Sequence, residues 1–441
     1  MVAPLKVGLA GLGTVGGATA RLLQKQEPEA TIGRCGRPIE LVAVTAKAKS
    51  ELDALGLGPV RFVDSPTKLA TDPEIDVFVE LMGGSGDPAK SSIEAALGAG
   101  KSVVTANKAL LAKHGVALAA LAETKGVALN FEAAVGGAIP IVKTVREGFA
   151  GSTFERVYGI LNGTCNYILT RMEQAKLSFA DALQEAQRLG YAEADPTFDV
   201  EGNDTAQKIA ILASLAFGVQ VDGDAVFVEG ISSLEPEDLE AAAELGYRIK
   251  LLGVAVRTDQ GIEQRVHPTM VHLDSPLARV MGVTNAVTVD PEGFTPITLV
   301  GPGAGGAATA SAVVADVVDV ARGVRVKPLG RPTATLAGSR RAPMQRHEGG
   351  YYIRLSAVDR PGTFATIAKH LAEEKISLES IVQRRRNGAP HGGDDPQAPP
   401  PAPVILITYA TTEDAVRKAL REIKNRGVIT GNPQVIRIEK N

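Results

Sequence analysis

An α/β protein with a doubly wound parallel sheet, an inserted α+β domain and a small βαββαβ unit at the carboxy terminus is what three observations predict. Short apolar runs rich in β-branched residues (6–10, 41–45, 75–81, 102–105 and 127–131) alternate with helical patterns such as 91–97 and 110–125. Alternation of this kind builds a parallel sheet with helices on both faces. From residue 153 to about 305 the pattern changes to long helices (166–175, 178–189, 205–216), then strand-like runs (249–256, 265–272, 286–289, 297–300). After 351 the order is strand (351–358), helix (363–374), strand (376–383), strand (404–408), helix (412–425) and strand (435–438).

These runs divide the chain into a first domain at 1–132, a second at 133–306, a linker at 326–350 and a carboxy-terminal unit at 351–441. Helix 307–325 follows a Gly-rich turn and is expected to return to the first domain. The stretch 386–403 (RNGAPHGGDDPQAPPPAP) is low in complexity and is expected to form a mobile hairpin loop. A length of 441 residues agrees with about three domains.

Composition narrows the function classes. Forty-seven Lys and Arg against 50 Asp and Glu leave a net charge of −3, and Trp is absent, so neither a basic field nor stacking platforms exist for nucleic acid. A small neutral or zwitterionic partner fits better. Cys35 and Cys165 are too few for a disulfide framework and lack zinc-site spacing. Without a signal-like start or a long apolar run, a cytoplasmic protein with no membrane partner is expected.

Gly11-Leu12-Gly13-Thr14-Val15-Gly16 lies between the first strand and the first helix. There Gly11 makes a tight turn, Gly13 admits a pyrophosphate and Gly16 lets helix and strand close. The helix N-terminus supplies N–H groups, so a Rossmann-like dinucleotide site is expected. Where NAD-binding chains carry an acid after the second strand, this one has Thr45-Ala46-Lys47-Ala48-Lys49, which favours the 2′-phosphate of NADP. Alternatively these lysines are solvated surface. Lys108, after Thr105-Ala106-Asn107, follows a strand end where ligands of open sheets bind. Asp204 and Lys208, four apart on one helical face among small and apolar neighbours, suit a proton shuttle, although such a pair is equally an exposed ion pair.

In order along the chain, GLGTVG, ELMGG (80–84), TANKAL (105–110), FEAAVGGAIP (131–140), NGTCNYIL (162–169), GYAEADPTFDVEGNDTAQK (190–208) and GPGAGG (301–306) resemble homoserine dehydrogenase. The resemblance covers about the first 325 residues. The last unit, with Asp359-Arg360-Pro361-Gly362 at its first turn, resembles a ferredoxin-like ACT regulatory domain. The resemblance implies that Lys208 gives and takes the proton at the substrate oxygen and that Lys108 is the second catalytic lysine. It places Glu193, Asp204, Asp199, Tyr191, Gly163 and Thr164 at the substrate. The cofactor falls to Gly11, Gly13, Thr14, Val15, Gly16, Lys47, Gly83, Thr105, Asn107, Lys108, Gly190, Glu193, Gly303 and Gly305.

Glu132, Val135, Gly137 and Ile139 resemble a monovalent-cation site, for Na or K, built mainly from backbone carbonyls. The implied reaction is the reversible interconversion of L-aspartate 4-semialdehyde and L-homoserine with NADP, and also NAD as an open alternative. An L-threonine effector and a homodimer or homotetramer are further implied. Phe198, where the family often has a small or acidic residue, and the 386–403 insertion depart from the pattern. Two rival readings are an aldehyde dehydrogenase working through an acyl-thioester at Cys165 and a non-catalytic NADP-binding metabolite sensor.

Overall fold

In the computed structural model, residues 3–25, 33–338, 347–383 and 401–439 are described. The expected loop at 386–403 lies outside them up to residue 400. The first domain runs β1 (Leu5–Ala10), α1 (Thr14–Lys25), β2 (Ile39–Thr45), α2 (Lys49–Leu55), β3 (Arg61–Phe62), α3 (Pro66–Thr71), β4 (Val77–Glu80), α4 (Ala89–Gly98), β5 (Ser102–Thr105), α5 (Lys108–Lys125) and β6 (Leu129–Asn130). Its strands pair in parallel in the order β3-β2-β1-β4-β5-β6, the dinucleotide-binding arrangement, with the crevice where the order reverses between β1 and β4. Both faces are covered, so β4 reads Val-Phe-Val-Glu and is wholly buried.

The second unit carries β7 (Phe154–Ile160), α6 (Gly163–Ala175), α7 (Phe179–Arg188), α8 (Asn203–Phe217), β8 (Phe227–Val228), α9 (Pro236–Glu244), β9 (Tyr247–Thr258), β10 (Gly261–His272), β11 (Thr284–Pro291) and β12 (Ile297–Pro302). Strand β7 and helix α9 were not anticipated. Helix α10 (Gly306–Ala321) then returns, as expected, and its Val313 and Val317 share a core with Val7, Leu9 and Leu23.

The last unit is β13 (Glu348–Ala357), α11 (Thr363–Glu373), β14 (Leu378–Gln383), β15 (Ala402–Thr408), β16 (Thr411–Thr412), α12 (Glu413–Asn425) and β17 (Ile429–Ile438). The order βαββαβ is as expected, apart from the short β16 that pairs with β13. Its four main strands, in the order β17-β13-β15-β14, extend the second unit's sheet, because β17 pairs with β10 at Thr269 and Met270. Side chains alternate across a strand. Tyr351, Ile353 and Leu355 therefore face α11 and α12, while Tyr352 joins the core of the second unit. There Tyr352 Oη donates to Asp238 (2.9 Å) and Arg354 Nε donates to the same carboxylate (2.7 Å).

The stretch expected as a linker is also tied down. Leu329 and Leu336 are buried, and Ala337 exchanges hydrogen bonds with Gly218 and Gln220. Thr333 donates to Glu123 (2.9 Å). Pro, Lys and Arg mask two well-spaced apolar anchors in that sequence.

Lys250 on β9 is 1% exposed and donates to Asn166 Oδ1 (2.9 Å). Burial, helped by the Arg248 charge, brings its ammonium down from 10.5 to about 7. Between those values the unfolded chain holds more protons than the native one, so stability rises with pH across that window. Lys250→Met should flatten the rise in urea-unfolding stability between about pH 7 and pH 10, and parallel slopes for both proteins would refute this.

Candidate functional site

The Gly-rich turn has the geometry its glycines require. Gly11 sits at φ 96°, where a Cβ would lie 2.6 Å from Leu81 O, and a Cβ on Gly16 would lie 1.8 Å from Gly11 O. Gly13 and Thr14 are exposed, and Val15 is half-buried at the start of α1. Gly305 caps α10, and a Cβ on Gly306 would come within 3.1 Å of Thr14 O. Two helix N-termini therefore converge beside this turn, which favours an anionic group there.

A buried carboxylate absent from the expected site residues organises the neighbouring strand ends. Glu80 accepts from Met82 N (2.7 Å), Gly83 N (3.1 Å) and Thr105 Oγ1 (2.6 Å). Asn107 donates to Gly84 O (2.7 Å), and its Oδ1 caps α5 through Leu110 N (3.0 Å). Gly83, Thr105 and Asn107 thus form one rigid rim, with Lys108 as the next residue. Lys47 and Lys49 are exposed beyond β2.

From the second unit, Asp204 and Lys208 project from the first turns of α8. Gly202 at φ 86° lets the chain enter that helix. Asp204 is 5% and Lys208 8% exposed, so they are not the solvated ion pair that the sequence left open. Lys208 Nζ donates to Asp204 Oδ2 (2.9 Å) and to Leu161 O (2.7 Å). Lys108 Nζ approaches Asp204 Oδ1 at 3.1 Å, joining the two units through one carboxylate. Burial alone would raise the Asp204 carboxyl, but Lys208 and Lys108 outweigh it and hold it down to about 2.

Asn162, the N-cap of α6, is a second residue that sequence reasoning missed. Its Nδ2 donates to Asp199 Oδ1 (2.9 Å) and Asp204 Oδ2 (3.0 Å), while its Oδ1 accepts from Cys165 N (2.8 Å). Its only sequence signal was a capping asparagine before Gly163-Thr164. Thr164 Oγ1 donates to Tyr191 O (2.6 Å), with Asp199 Oδ2 at 3.4 Å. Burial, then the Asp204 charge, raises the Asp199 carboxyl.

Lys208, Lys108, Asp204, Asp199 and Thr164 are therefore brought together, with Gly163 beside them. Tyr191 and Phe198 are exposed at the rim, at 44% and 45%. Glu193 is not brought in. Its side chain is exposed, and only its carbonyl is engaged, by Gln187 Nε2 (3.1 Å). Gly190, at φ 76°, turns the chain into that segment.

Glu132, Val135, Gly137 and Ile139 are buried in one loop. The Glu132 carboxylate accepts from Val142 N and Lys143 N (both 2.8 Å). Gly137, at φ 58°, lies so close to Gly303 that a Cβ would meet its carbonyl at 2.5 Å. Gly303 in turn abuts Asn285, a buried residue at the start of β11.

Cys165 cannot serve acyl-thioester chemistry. Its thiol is fully buried and pushed up well above its usual value by burial and the charge of Asp199, and Sγ donates to Asp199 O (3.2 Å). No described helix is long and apolar enough to cross a membrane.

The profile described as "Homoserine dehydrogenase, NAD binding domain" matches residues 11–132, and that described as "Homoserine dehydrogenase" matches residues 140–318. A homoserine dehydrogenase of Neisseria gonorrhoeae is 43% identical, over 99% of this chain and 99% of its own. The crystal structure of one from Thiobacillus denitrificans superposes with a TM-score of 0.91 at 42% identity, again covering 99% of each chain. A hyperthermophilic archaeal homoserine dehydrogenase solved in complex with NADPH matches with a TM-score of 0.62 and 26% identity, covering 73% of this chain and 99% of that one. With relatives this similar over nearly its whole length, and with both profiles matched in order, the chain belongs to the homoserine dehydrogenase family of oxidoreductases.

Proposed function

We propose that Lys208 and Lys108, joined through Asp204, carry the reaction of this homoserine dehydrogenase, the reversible NAD(P)-dependent interconversion of L-aspartate 4-semialdehyde and L-homoserine. The observation that carries this reading is the donor count at Lys208. An ammonium has three N–H donors. Two are used by Asp204 and Leu161 O, which leaves one for the substrate oxygen.

A bound nicotinamide dinucleotide would supply the hydride, and the paired helix N-termini at Thr14 and Gly306 would hold its phosphates. Toward homoserine, Lys208 gives its proton to the oxygen that becomes the hydroxyl. Toward the aldehyde it takes that proton back, which requires the neutral amine, so oxidation should quicken as pH rises. Asp204 fixes the orientation of Lys208, and Lys108 adds positive charge from the cofactor side. Asp199, Thr164, Gly163 and Tyr191 line the substrate. Glu193, exposed on a loop at the mouth, would have to turn inward to meet the substrate ammonium or the cofactor. Absorbance at the nicotinamide band with L-homoserine tests the reading, and no turnover with either cofactor would defeat it.

NADP is the preferred cofactor in this proposal. It is supported by Lys47 and Lys49, exposed after a strand that lacks the ribose-binding acid, and by the archaeal relative solved with NADPH. Replacing both lysines with Glu should raise KM for NADP by about tenfold or more while moving KM for NAD much less. Equal changes for both cofactors would return these lysines to the surface.

A monovalent cation is proposed at the carbonyls of Glu132, Val135, Gly137 and Ile139. The loop suits it because the Glu132 carboxylate is already spent on two backbone N–H groups, which leaves neutral oxygen donors. Such a cation would steady the loop against Gly303. The carboxy-terminal unit is proposed to be an ACT-type regulatory domain responding to L-threonine in a homodimer or homotetramer. Its strand order supports this, as do Ile381, Val382 and Tyr409, exposed at 48%, 38% and 57%.

A further inference from the structure

Five asparagines are buried among the described residues, and four of them bond through their side chains. Asn107 and Asn162 cap helices, Asn166 donates to Thr284 O (3.0 Å), and Asn130 donates to Asp316 O (3.4 Å). Asn285, at the start of β11 and 1% exposed, is the exception. Its Oδ1 has no hydrogen-bond partner, and its Nδ2 donates to no described group. Buried amides are nearly always paired, because an unanswered donor or acceptor costs free energy inside a protein. The amide is also held in place from both sides. Oδ1 lies toward Gly163, where a Cβ would be 3.4 Å away, and a Cβ on Gly303 would collide with Nδ2. Gly303 is pressed from its other side by Gly137, and Ala138 N donates to Pro302 O (3.0 Å). On the strand side, Asn166 grips Thr284 O and is itself fixed by the buried Lys250, which donates to its Oδ1 (2.9 Å). Asn285 therefore sits between the first residue of α6, at the substrate side, and the turn that leads three residues later to Gly306 and the Gly-rich loop.

We propose that Asn285 binds the carboxamide of the nicotinamide ring, its Nδ2 donating to the carboxamide oxygen and its Oδ1 accepting from the carboxamide N–H. Of the groups that meet at the reacting end of the two ligands, only this one presents a neutral donor and a neutral acceptor side by side. A substrate carboxylate has no donor for Oδ1 and would face it with negative charge. A substrate ammonium has no acceptor for Nδ2, and the acids Asp199 and Asp204 meet it better. Two hydrogen bonds to one planar group also fix its rotation, so Asn285 orients the ring as well as holding it. The rigid support from Asn166, Lys250 and Gly137 suits that task, because an orienting group must not move with its ligand. This inference rests on the cofactor reading above, which places the dinucleotide along Gly303.

The test is titration calorimetry of the full chain, without homoserine, using NADP and its 3-acetylpyridine analogue, in which a methyl replaces the amide nitrogen and the carbonyl stays. Wild type should bind the analogue about tenfold more weakly, the effect of one lost buried hydrogen bond. Asn285→Ser, too short to reach, should bind NADP about tenfold more weakly and no longer distinguish the two ligands. Asn285→Asp keeps the acceptor and loses the donor, so both ligands should weaken while the preference for NADP remains. Being nearly isosteric, it keeps the test decisive if Asn285→Ser unfolds. KM for homoserine at saturating cofactor should stay where it is in both variants. The proposal is overturned by a wild type that binds both ligands alike, by an Asn285→Ser protein that keeps the preference, by an Asn285→Asp protein that binds both as wild type does, or by a change confined to KM for homoserine. Wild type that binds neither NADP nor NAD would overturn the cofactor reading and this inference with it, whereas equal binding of NADP and its analogue removes only the role of Asn285.

Discussion

Lys208→Ala should lower turnover by about two to four orders of magnitude, the range for a lost acid–base group, while the dissociation constant of the cofactor barely moves. Lys208 is 8% exposed, and its ammonium has two of three donors committed, so no water of bulk character replaces it. Lys208→Arg should be nearly as poor although it keeps the charge, because a guanidinium does not give up its proton near neutral pH. The expected rise of homoserine oxidation with pH should vanish in that variant. Steady-state rates in both directions across pH check this, and a variant that keeps more than about a tenth of normal turnover would remove Lys208 from the acid–base role.

Asp204→Asn should damage both turnover and stability. Asp204, 5% exposed, is the shared partner of Lys208 and Lys108, so neutralising its carboxylate leaves a buried ammonium without a counter-charge. A loss of about 3–5 kcal/mol is typical of breaking a buried pair from one side. Its carboxyl sits at about 2 in the folded protein against an ordinary 3.8. A depressed acid stabilises the fold fully above its unfolded value and loses that contribution as pH falls through the folded value. The stability gap between wild type and variant should therefore be largest above about pH 4 and close toward pH 2, as read from urea midpoints. A gap independent of pH would mean the Asp204 charge is not what holds the lysines.

Much of the fold follows from local pattern. The period of the apolar runs placed the parallel sheet, and Gly11 and Gly16 stand where a tight turn and a close backbone approach leave no room for a Cβ. The i,i+4 spacing of Asp204 and Lys208 put them on one helical face whatever surrounds it.

Long-range contacts were not legible. Whether Asp204–Lys208 is a solvated pair or a buried one depends on β7, β9 and the N-terminus of α6 packing over it, and on Lys108 arriving from another domain at 3.1 Å. Glu80 and Asn162 look like an ordinary strand-end acid and a helix cap in sequence. Their partners are brought near only by the sheet, 25 residues away at Thr105 and 42 away at Asp204. The same holds for the carboxy-terminal unit. Its βαββαβ order is local information, but the joining of β17 to β10 is a backbone pairing at a sheet edge, and only tertiary packing decides which strand such an edge meets.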